Sequence, residues 1–149
     1  MSDSLNPEAF ARQLNTQKQG TMIDAHGTEF LRAGEGHAVA RLAFKPDLTQ
    51  LTGLFHAGAI IALADETATA AAMWETNPTA DLKPELFPLT LQLSVNLIRN
   101  TNQGAITAEA HIIHRGRTTM VTEVKVYDEQ ERLLATVVVT ALTPQSHST

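Results

Sequence analysis

From Ala57 to Glu75 the sequence AGAIIALADETATAAAMWE contains eight alanines and no proline, and its first eight residues are all apolar. Alanine is the strongest helix former, and its small side chain lets other elements approach a helix axis closely. A helix with no polar side has to be buried on every face, so the rest of the chain must wrap it. The apolar stretch Ala57 to Ala64 ends at Asp65 and Glu66, far short of the ~20 apolar residues a membrane span needs. No membrane partner is expected.

The second half of the chain supplies the wrapping. Leu89, Leu91, Leu93, Val95 and Leu97 alternate with Thr90, Gln92, Ser94 and Asn96, the period of two of a strand. The turn Asn102-Gln103-Gly104 leads into AITAEAHII, Arg115-Gly116-Arg117 into TTMVTEVKVY, and residues 128–131 into LLATVVVTAL. Turns this short between successive strands imply an antiparallel meander. Upstream, Asn6 and Pro7 form a cap and first turn for an amphipathic helix to about Gln19, with Phe10 and Leu14 on one face. TEFLR and HAVARLAF flank a Gly34-Glu35-Gly36 turn and predict a hairpin. The fold class is therefore α+β, about six antiparallel strands around one long central helix.

A length of 149 residues suits one domain over 1–149, with slack expected at 1–6 and 144–149. The absence of cysteine excludes disulfides, thiol chemistry and Cys-ligated zinc. Eleven basic against sixteen acidic side chains, a net charge of −5, argue against nucleic acid as a partner. The N-terminal decapeptide lacks a basic segment followed by an apolar one, so no secretory signal is expected and the cytoplasm is the expected compartment.

Asp65 is the chemically odd residue. A carboxylate in an apolar helix costs several kcal/mol to bury unless paired, hydrogen-bonded or protonated, and such residues are enriched at functional sites. The plain alternative is that it reaches the surface or bonds a loop amide. Thr69, one turn on, lies on the same face and can hold a water or orient the carboxylate. Glu66 points away and reads as solvated or as the partner of a cation. His56 precedes the helix, where the amides of Ala57 and Gly58 lack intrahelical acceptors and the macrodipole is positive. That end suits a developing oxyanion such as that of a polarised thioester or ester carbonyl, although His56 can equally be a cap. Gln50 adds an amide donor from the preceding loop.

Ala57 and Asp65 are eight residues apart, roughly 12 Å along a helix. Both cannot reach one carbonyl carbon, so a shared reaction requires Asp65 of one chain to meet Ala57 of another. Paired sites in a symmetric dimer follow. His111 and His114, three apart in a strand, are expected on opposite faces and unable to share a metal. His26, His37 and His147 have no acidic or histidine neighbours at ligand spacing, and no metal is expected.

GLFHAGAIIALADETA, residues 53–68, resembles the G-x-x-H-G-G…L-A-[DE] signature of hotdog-fold acyl-CoA thioesterases. The likeness is to the phenylacetate-degradation type and the related Arthrobacter-type 4-hydroxybenzoyl-CoA thioesterases. It extends through LTLQLSVNLIRN, with Arg99 near its end, and through the closing strands. The resemblance implies Asp65 as general base or nucleophile and Gln50 and His56 near the thioester. It also implies the Ala57 N–H as donor to the thioester oxygen and Thr69 as partner of the carboxylate. Ala57 stands where the pattern has its first glycine, and an Asp stands where the sub-branch carrying Gln and Thr has Glu.

The implied substrate is an acyl-CoA, with CoA part of the substrate and no separate cofactor, and the implied assembly a homodimer or homotetramer. Arg115 and Arg117 around Gly116, with Arg99 behind them, are the expected partners of the CoA phosphates. Gly58, Phe55, Met73 and Trp74 are expected around the ligand. The alternative is a non-catalytic acyl-CoA-binding protein, a sensor or subunit. A hotdog dehydratase fits less well, because no second histidine is placed to cooperate with an acid.

Overall fold

In a computed structural model describing residues 4–144, one six-stranded antiparallel sheet curls around a single long helix. Helix α1 spans Pro7–Gln17 and begins where the Asn6 side chain accepts from the Ala9 N–H at 2.8 Å. A short helix α2, Met22–His26, was not foreseen; Thr21 caps its start and Gly27, in the left-handed region at φ 99°, ends it. Strands β1 (Glu29–Gly34) and β2 (His37–Ala43) form the expected hairpin. Helix α3 runs Ala57–Thr76, within a residue of the sequence reading at each end. Strands β3 (Thr90–Leu97), β4 (Ala105–Arg115), β5 (Thr119–Tyr127) and β6 (Leu133–Leu142) complete the sheet.

The strand order is β1-β2-β4-β5-β6-β3, so β4, β5 and β6 form the expected antiparallel meander and only the place of β3 is corrected. β3 does not pair with β4 but lies at the far edge beside β6. From β3 to β4 is three strand spacings, roughly 14 Å. Residues 98–104 cross that gap easily, since seven residues reach as far as ~25 Å when extended. A short connection therefore did not imply adjacent strands.

The core is the concave side of the sheet and the inner face of α3. Ile60, Leu63, Ala64, Ala68 and Ala71 pack against Leu42, Ile106, Val124, Val126, Leu134 and Val137. Phe10 and Leu14 of α1 close the β1 side. The expectation that α3 is buried all round is corrected here. Gly58 is exposed, and Ile61, Ala62, Asp65 and Thr69 are half-buried, one continuous strip at helical spacing. β3 is likewise open: Leu91 and Leu97 are 57% and 48% exposed, although their period is that of a strand with one buried face.

Leu5 and Asn6 are held, contrary to the slack expected over residues 1–6. The Leu5 N–H donates to the Pro78 carbonyl, its own carbonyl accepts from the Trp74 indole at 3.1 Å, and Asn6 is the α1 cap. Residues 1–3 and 145–149, including His147, lie outside the described residues. Among the described residues no helix is long and apolar enough to cross a membrane.

Candidate active site

Asp65 sits midway along α3 on the open strip, at the wall of a chamber of about 530 Å³ between α1, α2, α3 and the segment leading into β3. Its Oδ1 accepts from the Thr90 hydroxyl at 2.6 Å. Thr90 is the first residue of β3, and sequence reasoning missed it; its only signal was a hydroxyl at the start of an apolar alternation. Thr69 lines the same chamber one turn beyond Asp65. The other walls are mostly apolar, among them Leu14, Ile23, Phe30, Met73 and Phe87.

Glu66, the next residue, also borders the chamber but is held by different partners. The structure makes it neither solvated nor idle: it accepts from the Thr28 hydroxyl at 2.7 Å and pairs with the His26 Nε2 at 2.7 Å. His26 is buried, and the Glu66 side chain is only 10% exposed. His26 therefore has an acidic neighbour, which its sequence surroundings did not reveal, because the two residues lie forty positions apart. Burial pushes the Glu66 carboxyl above its usual range; the bonds from Thr28 and His26 oppose that rise, and the charge of Asp65 adds to it. Through this contact α2 is tied to α3 next to Asp65.

At the start of α3, His56 is the cap. Its Nδ1 accepts from the Gly58 N–H at 2.8 Å, which in a neutral ring puts the proton on Nε2. Of the two readings of His56, the cap is the one the structure shows, and it occupies the Gly58 amide. Among the described residues no acceptor stands opposite the Ala57 N–H, so the positive end of the helix is concentrated on that donor. Gln50 lies in the preceding loop, where its side-chain carbonyl accepts from the Thr52 N–H and hydroxyl. Phe55 is fully buried against Phe44, edge to face at 5.2 Å between ring centres, and offers a ligand no surface in this chain. Trp74 is turned to Leu5 and away from the chamber, whereas Met73 lines it.

The arginines do not form one cluster. Arg99 shares a recess with Ile60 and Asn100 near the start of α3, while Arg115 pairs with Glu75 in its last turn. Roughly 22 Å of helix separates Ile60 from Glu75. Arg99 thus does not lie behind Arg115, Gly116 and Arg117. His111 and His114 also differ from expectation. A bulge at Ile113 shifts the β4–β5 register between Ile112 and His114, so the two histidines come to the same face. His111 stacks instead on His37 of β2, with ring centres 4.5 Å apart. Among the described residues no group of three or more His, Cys, Asp or Glu is placed to hold a metal ion.

A sheet curled round a helix, with a half-buried carboxylate on that helix opening to an apolar chamber, defines an enzyme of the hotdog class. The family model described as the thioesterase superfamily matches residues 52–135. A 1,4-dihydroxy-2-naphthoyl-CoA hydrolase of Listeria monocytogenes is 31% identical over 108 residues, 72% of this chain and 83% of that protein. The proofreading thioesterase EntH of Cronobacter turicensis is 28% identical over 123 residues, 83% of this chain and 85% of that protein. Among solved structures, a thioesterase of Haemophilus influenzae superposes with a TM-score of 0.78 at 21% identity, over 99% of this chain and 97% of that one. A hypothetical thioesterase of Streptococcus pneumoniae, solved with coenzyme A, gives 0.71 at 21% identity, over 82% and 92%.

The chain belongs to the thioesterase superfamily. It is a thioester hydrolase of the hotdog fold.

Proposed function

We propose that the protein hydrolyses acyl-CoA thioesters to free CoA and a carboxylic acid, at paired sites of a homodimer. The observation that carries this reading is the position of Asp65: a half-buried carboxylate, fixed by Thr90, at the wall of an apolar chamber large enough for an acyl group. The named action of the Listeria relative on a CoA thioester supports the substrate class. Asp65 takes a proton from water, whose oxygen attacks the thioester carbon. The carbonyl oxygen becomes an oxyanion held by the Ala57 N–H of a second copy, with the Gln50 –NH2 and the His56 Nε2–H as further donors. Collapse breaks the C–S bond, and the proton held by Asp65 passes to the departing thiolate. Thr69 orients the water.

Two features support the dimer. Ala57 and Asp65 stand on one continuous helix, so roughly 12 Å of backbone separates them in any single chain. The outer edge of β3 also presents unpaired backbone groups beside exposed Leu91 and Leu97, and a second sheet edge would satisfy both. The CoA phosphates fall to Arg99 at one end of α3, or to Arg115 and Arg117 around Gly116 at the other. Asp65→Asn tests the assignment. CoA release from thioesters should fall by about 10²–10⁴ while binding of a non-hydrolysable thioether analogue persists. Unchanged turnover would sink the role given to Asp65.

The second reading, an acyl-CoA-binding protein without catalysis, draws on the Gly58 N–H being taken by His56, which leaves a single backbone donor at the helix start. Saturable binding with no CoA release from any thioester would favour it.

A further inference from the structure

Gln17, the last residue of α1, carries a buried acceptor without a donor. Its Nε2 donates to the Ala80 carbonyl at 3.0 Å. A carbonyl only accepts, so that bond fixes which end of the amide is the oxygen. Among the described residues no donor reaches the Gln17 Oε1, although the atom is closed off from bulk water. Buried side-chain acceptors are ordinarily satisfied, because one left unpaired forfeits its hydrogen bonds to water and gains none in return. Gln17 borders the chamber beside Asp65.

Its position in that wall is set by its other bond. Ala80 follows α3, and its N–H donates to the carbonyl of Asn77, the residue that ends the helix. Asp65 and Met73 both line the chamber and are two helical turns apart, roughly 12 Å. The Gln17 amide is therefore tied to the Met73 end of the chamber, away from the carboxylate. Lys18, the next wall residue, is half-buried, and both acceptors of its ammonium are neutral: the Thr28 carbonyl at 2.7 Å and Asn15 Oδ1 at 3.4 Å. A positive wall favours a ligand oxygen with lone pairs, and the unpaired Oε1 requires a hydrogen on it. A hydroxyl supplies both, an ether only the lone pairs, and a methyl group neither.

We propose that Gln17 is a specificity-determining residue, whose Oε1 accepts from a hydroxyl at the far end of the acyl group, so that hydroxyl-ended acyl thioesters are preferred over their methyl-ended counterparts. The inference rests on the thioesterase reading and names a feature of its substrate. The test compares ω-hydroxydecanoyl-CoA, ω-methoxydecanoyl-CoA and undecanoyl-CoA, in which a hydroxyl, an ether and a methyl group end the same chain, and repeats the comparison in the octanoyl series. In the wild type the hydroxyl-ended thioester of one series or both should exceed the other two by at least about tenfold in kcat/KM, since a site that hydrogen-bonds a substrate hydroxyl discriminates against analogues lacking it. Gln17→Met, close in length and apolar, should erase that preference by slowing the hydroxyl-ended substrate while the methyl-ended one keeps its wild-type rate or gains.

Equal rates for the three chain ends in both series of the wild type would overturn the proposal without recourse to a variant. A Gln17→Met enzyme that lowers all three in equal proportion would overturn it as well, since loss of the Ala80 bond alone disturbs every substrate alike. Binding of S-(ω-hydroxydecyl)-CoA and S-undecyl-CoA, thioethers that cannot be cleaved, separates the two readings. If the hydroxyl-ended thioether binds tighter to the wild type but not to Gln17→Met, yet no thioester is hydrolysed, the hydroxyl site stands and the catalytic reading fails. If thioesters are hydrolysed but both thioethers bind alike and no chain end is preferred, the catalytic reading stands and the role of Gln17 is overturned.

Discussion

At the scale of single residues, the two adjacent carboxylates of α3 have been given different environments. Asp65 faces the chamber with one hydroxyl donor; Glu66 is nearly buried, with a hydroxyl and an imidazole. A hydrogen bond to a charged acceptor is worth about 1.5–3 kcal/mol, and Thr90 spends its bond on orienting Asp65. Thr90→Val, which keeps the shape and removes the hydroxyl, should lower kcat about tenfold with KM little changed. Thr90→Ser should restore most of it; equal activity in wild type and the valine variant would remove Thr90 from the site. Glu66 predicts a pH effect. Its folded-state pKa is raised, so the stability it contributes is complete below its ordinary value of 4.5 and is lost as pH rises through the raised value. Glu66→Gln cannot ionise. Its melting temperature should therefore gain on the wild type as pH rises from about 4.5, then hold a constant difference once Glu66 is fully ionised. A difference that stays flat from acid to neutral pH would contradict this. Of these partners the sequence disclosed only the carboxylates, because Thr28, His26 and Thr90 reach α3 through tertiary contacts that no local spacing encodes.

At the scale of elements, β3 is the piece whose surroundings in one chain fail to match its composition. It carries an apolar residue at every second position, yet α3 and the sheet bury little of it, and its outer edge has no neighbour. β1, the other edge, is covered by α1. A pair of substitutions, Leu91→Lys with Leu93→Lys, puts like charges on the open edge at two exposed positions and should leave the single-chain fold intact. The expected result is a monomer by light scattering with hydrolysis reduced by at least about a hundredfold, since a lone chain lacks half of each site. A variant that remains dimeric and active would move the interface elsewhere. The elements themselves were legible because helix and strand patterns are local. Asn6 and Pro7 start α1, the alanine-rich run marks the body of α3, and Asn77-Pro78 follow its end. Strand order was not legible, since nothing in residues 98–104 says which strand they pass over. The bulge at Ile113 escaped notice for a related reason: a single unpaired residue exchanges the faces of everything beyond it, and only the partner strand reveals it.

At the scale of the whole molecule, the length of α3 decides what one chain can do. The Ala57 N–H lies at its first residue and Asp65 two turns further on, a separation no side-chain rotation closes. If each site combines one group from each copy, two differently damaged chains should repair each other. Ala57→Pro removes the N–H at the first helical position, where proline is well tolerated, and the extended backbone of His56 suits a following proline. Homodimers of Ala57→Pro should be folded and nearly inactive, as should those of Asp65→Asn. In a hybrid dimer, one site receives the intact Asp65 of the proline chain and the intact Ala57 N–H of the asparagine chain, while the other site receives both defects. Random pairing of equal amounts makes half the dimers hybrid, each with one working site of two, so the mixture should recover about a quarter of wild-type activity. A site contained within one chain would predict no recovery at any mixing ratio, because each chain then carries its own defect into every site it forms.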